Sequence, residues 1–239
     1  MKLNQAKDFL AEVRRKVPFQ AFIGSILSLG LAFAAAALFF FAWLTDEVLE
    51  GDTKAFDETI RNFVHGFAGE SLTTLMNLST MLGSTAFLMA LSVGVIVIFL
   101  LKNRKRGAAL FAATMAGAII LNFVLKLSFH RPRPVPFFDT PLPDSYSFPS
   151  GHSLFSVCFY GVLAWLITAR ITNRSAQISI WSLAVSLVLL IGLSRIYLGV
   201  HYPSDVLAGF AAAFVWVSTV VLTDSTLEKR NDSCGKSQL

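Results

Sequence analysis

Six times along its length this sequence runs for about 20 residues or more with little or no charge, which is the length a helix needs to cross a hydrocarbon core of roughly 30 Å. The runs are Phe19 to Leu44, Leu72 to Leu101, Gly107 to Phe129, Ser150 to Ala169, Ile178 to Tyr197 and Pro203 to Thr223. Hydrocarbon offers no partner to an open peptide group, so segments of this kind are stable as helices that bond themselves internally. We therefore expect an all-α, polytopic membrane protein, a six-transmembrane-helix bundle. With 54% hydrophobic and 15% charged residues and a mean hydropathy of +0.62, the chain is excluded from the classes of soluble enzyme, disordered tail and disulfide-stapled module. Two cysteines cannot build a disulfide framework, and Cys158, in an apolar run, and Cys234, in a polar tail, read as free thiols.

A net charge of +5 would suit nucleic acid if the basic residues formed a stripe, but they sit between the apolar runs, so no nucleic-acid partner is expected. Residues 1–18 hold five Lys and Arg, Lys102 to Arg106 four, the Arg170 to Arg174 turn two and the tail beyond the last run three, together fourteen of twenty. Cytoplasmic loops carry that excess, so both termini are expected in the cytoplasm. The first run follows a basic segment as a signal peptide does, yet at 26 residues it far exceeds an h-region of about 7–15 residues and should remain as an anchor. The domain layout is then a cytoplasmic segment 1–18, a membrane domain 19–223 and a polar cytoplasmic tail 224–239.

Between the first two runs, Phe56, Ile60, Phe63, Val64 and Phe67 recur at helical spacing, with Asp57, Glu58, Arg61 and Asn62 on other faces. This predicts a short interfacial helix at the outer surface, either a lid or lipid guide or a packing element between two spans. Trp43, Tyr146, Trp165 and Tyr197 fall near run ends and read as interface anchors, and His65 and His130 as polar residues of the interface.

Ionisable residues at membrane depth are costly, so where they concentrate a function is implied. Here they concentrate in three blocks: Lys126 to Pro134 at the end of the third run, Pro149 to His152 at the start of the fourth, and Ser194 to Asp205 joining the fifth and sixth. The topology puts all three at one outer end of the bundle. Lys126, Arg133 and Arg195 offer three positive charges, two of them planar forks suited to phosphate oxygens. Ser150 can cap the fourth helix and Gly151 exposes backbone N–H groups, so that helix start is an anion cradle that needs no metal. Asp205 follows His201 by one turn, near enough to accept an imidazole N–H and leave the other ring nitrogen free to attack phosphorus. His152 can protonate the leaving oxygen and later activate water.

These blocks resemble the type-2 phosphatidic acid phosphatase family, whose pattern is K-x6-RP, then PSGH, then SR-x5-H-x3-D. Lys126 with Arg133-Pro134 matches the first block, Pro149 to His152 the second, and Ser194, Arg195, His201 and Asp205 the third, with 14 residues between the first two blocks and 41 between the last two. Spacing selects Arg133 from the doubled Arg131-Pro132-Arg133-Pro134, although Arg131 can share its role. The resemblance implies His201 as nucleophile, Asp205 as its orienting partner, His152 as general acid, and Lys126, Arg133, Ser150, Gly151 and Arg195 as phosphate binders, with no metal and no cofactor.

The function expected is an integral-membrane lipid phosphate phosphatase of a bacterial plasma (inner) membrane, its active site facing the periplasm or exterior. Phosphatidate, phosphatidylglycerophosphate and undecaprenyl diphosphate are candidate substrates, and the motifs do not distinguish among them. A lipid phosphotransferase would use the same residues, and a lipid transporter could also place cations at a bundle mouth, although no symmetric repeat supports one. Vanadate-dependent haloperoxidases share a similar anion site, but six spans disfavour that reading. Oligomeric state is not encoded in anything the sequence shows.

Overall fold

A computed structural model describes residues 19–138 and 142–236, with backbone alone for residues 19–29 and 227–236. The 1–18 segment and the Cys234 side chain lie outside what is described. The helices are α1 (Phe19–Glu50), α2 (Lys54–His65), α3 (Glu70–Leu82), α4 (Thr85–Leu101), α5 (Lys105–Phe129), α6 (Gly151–Thr168), α7 (Arg174–Tyr197) and α8 (Pro203–Lys236), and no strand occurs among the described residues. Helices α1, α5, α6, α7 and α8 are each long and apolar enough to cross a membrane; α3 and α4 qualify as a pair, bent by 50° where they meet.

That bend corrects the expectation of a continuous second span from Leu72 to Leu101. Its cause is local. Ser84 takes an extended conformation and its Oγ accepts the Phe87 N–H at 3.3 Å, which starts a new helix. Gly83 sits where α7 comes closest: a Cβ there would lie 2.3 Å from Ile191 Cγ2, so only glycine admits the approach. The last turn of α3 leaves orphan carbonyls, one of which, Leu82 O, accepts the Tyr160 hydroxyl at 3.0 Å. Tyr160 belongs to a π-helical turn of α6, Val157–Gly161, in the middle of the fourth span.

The last helix also continues into the polar tail. Residues from 224 onward continue α8 as far as Lys236, because no helix breaker intervenes before Gly235 and Asp224 anchors that stretch to α5 through two bonds from Arg106, at 2.9 and 2.6 Å.

Helix α6 is the central element, with 56% of its span window buried against 11–33% for the other single spans. Phe111 of α5, Leu154, Cys158 and Phe159 of α6, and Ala213 of α8 form the packed interior around it. Large apolar side chains such as Phe39, Leu101, Ile120 and Leu183 face outward, as hydrocarbon allows; the helices are held by close packing rather than by burial from water.

Candidate active site

The three charged blocks converge at one end of α5, α6, α7 and α8. Lys126 is in the last turn of α5, His152 in the first turn of α6, Arg195 in the last turn of α7, and His201 in the short link to α8. All four, with Arg133 and Gly151, line one cavity of about 510 Å³. Its lower wall is apolar, formed by Ile119, Phe123 and Leu127 of α5 and Phe155 of α6, with Thr85 and Asn122 as polar insertions. A cationic head and an apolar throat in one cavity match an amphiphile whose charged end stops where its chain begins.

His201 is only 2% exposed. Its Nδ1 lies 3.2 Å from Asp205 Oδ2, and its Nε2 lies 3.1 Å from Arg133 NH1, on the cavity side. Asp205, in the first turn of α8, is fully buried and receives the Tyr202 N–H at 2.9 Å, Arg131 at 2.7 Å and the Ser147 hydroxyl. A carboxylate held on so many sides cannot rotate, so the imidazole it faces is held as well. Burial pushes the His201 imidazole down to about 3, with Asp205 opposing that shift, so at neutral pH the ring is uncharged and one nitrogen carries a lone pair.

The cations are arranged by their own donors. Arg133 donates to Ser145 O at 2.8 Å, to Ser145 Oγ at 3.0 Å and to Val200 O at 3.1 Å, and burial lowers its pKa despite Asp205. Lys126 donates to Tyr146 O. Arg195 donates to Thr80 Oγ1 on α3 at 2.5 Å, while its Nε is buried with no protein partner, leaving a donor for a ligand.

Two expected site residues stand behind the cavity. Asp205 is one, as an orienting partner should be. Ser150 is the other: its hydroxyl accepts the Ser153 N–H at 3.4 Å and its backbone N–H donates to Asp205 O at 2.9 Å, so it caps α6 and ties α6 to α8. The Gly151 backbone lines the cavity beside it.

Arg131 does not line this cavity beside Arg133. Its guanidinium turns from the cavity to Asp205, Ser204 and Asp57, with the Asp57 contact at 2.8 Å. Sequence reading missed Ser147, Ser204 and Asp57. For Asp57 a signal existed: Asp57 and Arg61 are one turn apart on the face opposite an aromatic stripe, and in a membrane protein the polar face of such a helix turns inward. In the structure Phe56, Phe63 and Phe67 are exposed while Asp57 and Arg61 are buried.

Comparison with known proteins fits this geometry. The PAP2 superfamily pattern matches residues 107–228, and phosphatidylglycerophosphatase B of Bacillus subtilis (strain 168) is 33% identical over 174 residues, 72% of this chain and 85% of that one. The chain belongs to the PAP2 superfamily. Among other relatives, an undecaprenyl-diphosphatase of Sulfolobus acidocaldarius is 33% identical over 122 residues, about half of each chain, at 49% and 54%. The crystal structure of a transmembrane PAP2-type phosphatidylglycerolphosphate phosphatase from Bacillus subtilis superposes with a TM-score of 0.74 at 29% identity, covering 81% of this chain and 96% of that one. This PAP2 protein is thus a multi-pass membrane enzyme of the phosphatase class, and the matched stretch contains all three charged blocks.

Proposed function

We propose that this PAP2 protein hydrolyses the terminal phosphate of a membrane lipid through a phosphohistidine on His201. The observation that carries the reading is one arrangement: His201 Nε2 facing a cavity with three cations while Nδ1 is held by Asp205. Lys126, Arg133 and Arg195 bind the phosphate oxygens, with the Gly151 end of α6 adding backbone N–H groups and Ser150 capping that helix. Nε2 attacks phosphorus, the P–O bond to the lipid breaks, and His152 gives its proton to the departing oxygen. Asp205 stabilises the positive charge on the phosphorylated ring. His152, now neutral, takes a proton from water, whose oxygen attacks phosphorus; phosphate leaves and His201 is regenerated.

Among lipid phosphates, the reading favours phosphatidylglycerophosphate over phosphatidate and undecaprenyl diphosphate, because the similarity to a phosphatidylglycerophosphatase runs through most of both chains. The positive-inside count supports cytoplasmic termini, six spans with α3 and α4 as the bent second one, and a site at the outer face of the plasma membrane. In this layout α2 lies at the outer interface, and residues 19–223 form the membrane domain between the 1–18 segment and the region from 224 onward.

Phosphate release by the detergent-purified protein in EDTA tests the proposal. Release from at least one of the three lipids, falling by about 10⁴-fold or more in His201→Ala, is the expected result. Undiminished release by that variant, or wild-type activity that EDTA removes and Mg²⁺ restores, overturns it.

A further inference from the structure

Helix α2 stands outside the cavity, yet its inner face reaches both loops that carry the reacting groups. Asp57 is fully buried; its Oδ1 accepts the Ser204 N–H at 2.9 Å, and its Oδ2 accepts the Ser204 hydroxyl at 2.7 Å and Arg131 at 2.8 Å. Ser204 is the second residue of α8, whose first-turn N–H groups have no intrahelical partner, so Asp57 caps α8 from another helix. Arg131 extends the chain of contacts, donating from NH1 to Asp205 Oδ1 at 2.7 Å while its guanidinium lies over the Tyr202 ring at 4.1 Å.

One turn along α2, Arg61 makes a parallel grip. Its NH2 donates to Val135 O at 2.8 Å and to Gly199 O at 3.4 Å, and its guanidinium lies over the Phe137 ring at 4.7 Å. At this point the two loops touch: Gly199 has φ +72°, and a Cβ on it would lie 2.6 Å from Phe137 N.

The contacts fall in a pattern. Arg131 and Val135 flank Arg133 in sequence; Gly199 and Ser204 flank His201. So α2 holds each loop on both sides of its functional residue, and holds no functional residue directly. From this juxtaposition we propose that α2 is a splint for the active centre, with Asp57, Arg61 and Arg131 as positioning residues that set the register of His201 against Arg133. Neutralising Asp57 frees Arg131 to rotate and uncaps the first turn of α8, and the Asp205 carboxylate loses a fixed partner. Lys126 and Arg195, which α2 does not touch, stay in place to bind substrate phosphate, so the loss falls on turnover more than on binding.

The inference rests on His201 as nucleophile, and the test separates the two. Full-length wild-type, Asp57→Asn, Asp57→Glu, Arg61→Gln, Arg131→Gln, the Asp57→Asn/Arg131→Gln pair and His201→Ala are compared in kcat and KM for the lipid substrate, each on protein shown to be folded by its melting transition. The splint predicts a kcat at least tenfold down in Asp57→Asn with KM within twofold, partial recovery in Asp57→Glu, a smaller kcat loss in Arg61→Gln, and a double variant no worse than its slower single. Should Asp57→Asn not fold, Arg61→Gln decides by the same split. An unchanged kcat, a loss confined to KM, or multiplying effects in the pair overturns the splint while leaving the nucleophile standing if His201→Ala is inactive. An active His201→Ala overturns both.

Discussion

At the residue scale, the proposed chemistry depends on a histidine kept uncharged by burial and oriented by a carboxylate that is itself immobilised. That state has a consequence for stability. Folded His201 titrates near 3 and an unfolded histidine near 6.5, so below pH 6.5 the unfolded chain binds a proton that the folded chain refuses. The stability linked to His201 is complete above about pH 6.5 and is lost progressively as pH falls towards 3. Melting temperatures in detergent should accordingly drop between pH 7 and pH 5, and drop less in His201→Gln, which has no proton to take up. Parallel curves for the two proteins would show that the imidazole is not held neutral.

Much of the site was legible at this scale. Phosphate chemistry restricts residue types so tightly that Lys126, Arg133, Gly151, His152, Arg195 and His201, scattered over 76 residues, could be assigned to one cavity before any coordinates, and they line one. What could not be read was the layer behind it. Asp57, Ser147 and Ser204 are common residue types at unremarkable spacings, and their partners are 147, 58 and 147 positions away, so only the fold brings them together. Arg131 shows the same limit: two identical Arg-Pro pairs are equivalent in sequence, and the loop's path decides which guanidinium meets the cavity.

At the scale of elements, hydrophobic runs located the helices because hydrocarbon imposes a length. They did not locate the break in the second span, since Gly83 and Ser84 are small enough to sit in an apolar run unnoticed, and the run does not show that Ile191, more than a hundred residues away, packs against Gly83. Hydropathy also gives no sign that α8 continues past Thr223, because helix continuation depends on absent breakers and not on hydropathy. Gly83→Ala tests the account of the break. Its new methyl would overlap Ile191 Cγ2 beside the His152 ring, so a cost of about 1–3 kcal/mol and a lowered turnover are expected, with Gly83→Ala/Ile191→Ala recovering part of the stability. If the single variant melts as wild-type does, the approach of α3 to α7 is not the constraint it is taken to be.

At the scale of the whole molecule, one end of the bundle collects cations around a cavity with an apolar throat, and the opposite end carries Lys102, Arg104, Lys105, Arg106, Arg170 and Arg174 among the described residues. The proposed topology assigns the first end to the outside. Asp144 lies in the exposed loop beside that cavity, and in a Cys234→Ser background, where Cys158 is buried, Asp144→Cys provides a single reactive thiol. An impermeant thiol reagent should label it in intact cells; labelling only after lysis would place the cavity in the cytoplasm and reverse every orientation given above.

The central claim is that phosphate passes through the His201 ring on its way from lipid to water. It is tested most directly by mixing the purified enzyme with lipid carrying ³²P in its terminal phosphate and quenching within the first turnover. The account predicts radioactivity covalently bound to the protein, labile to acid and stable to base as a phosphoramidate is, located on the peptide that contains His201 and absent from His201→Ala. Rapid release of phosphate with no labelled protein at any time, or label on another residue, would contradict it.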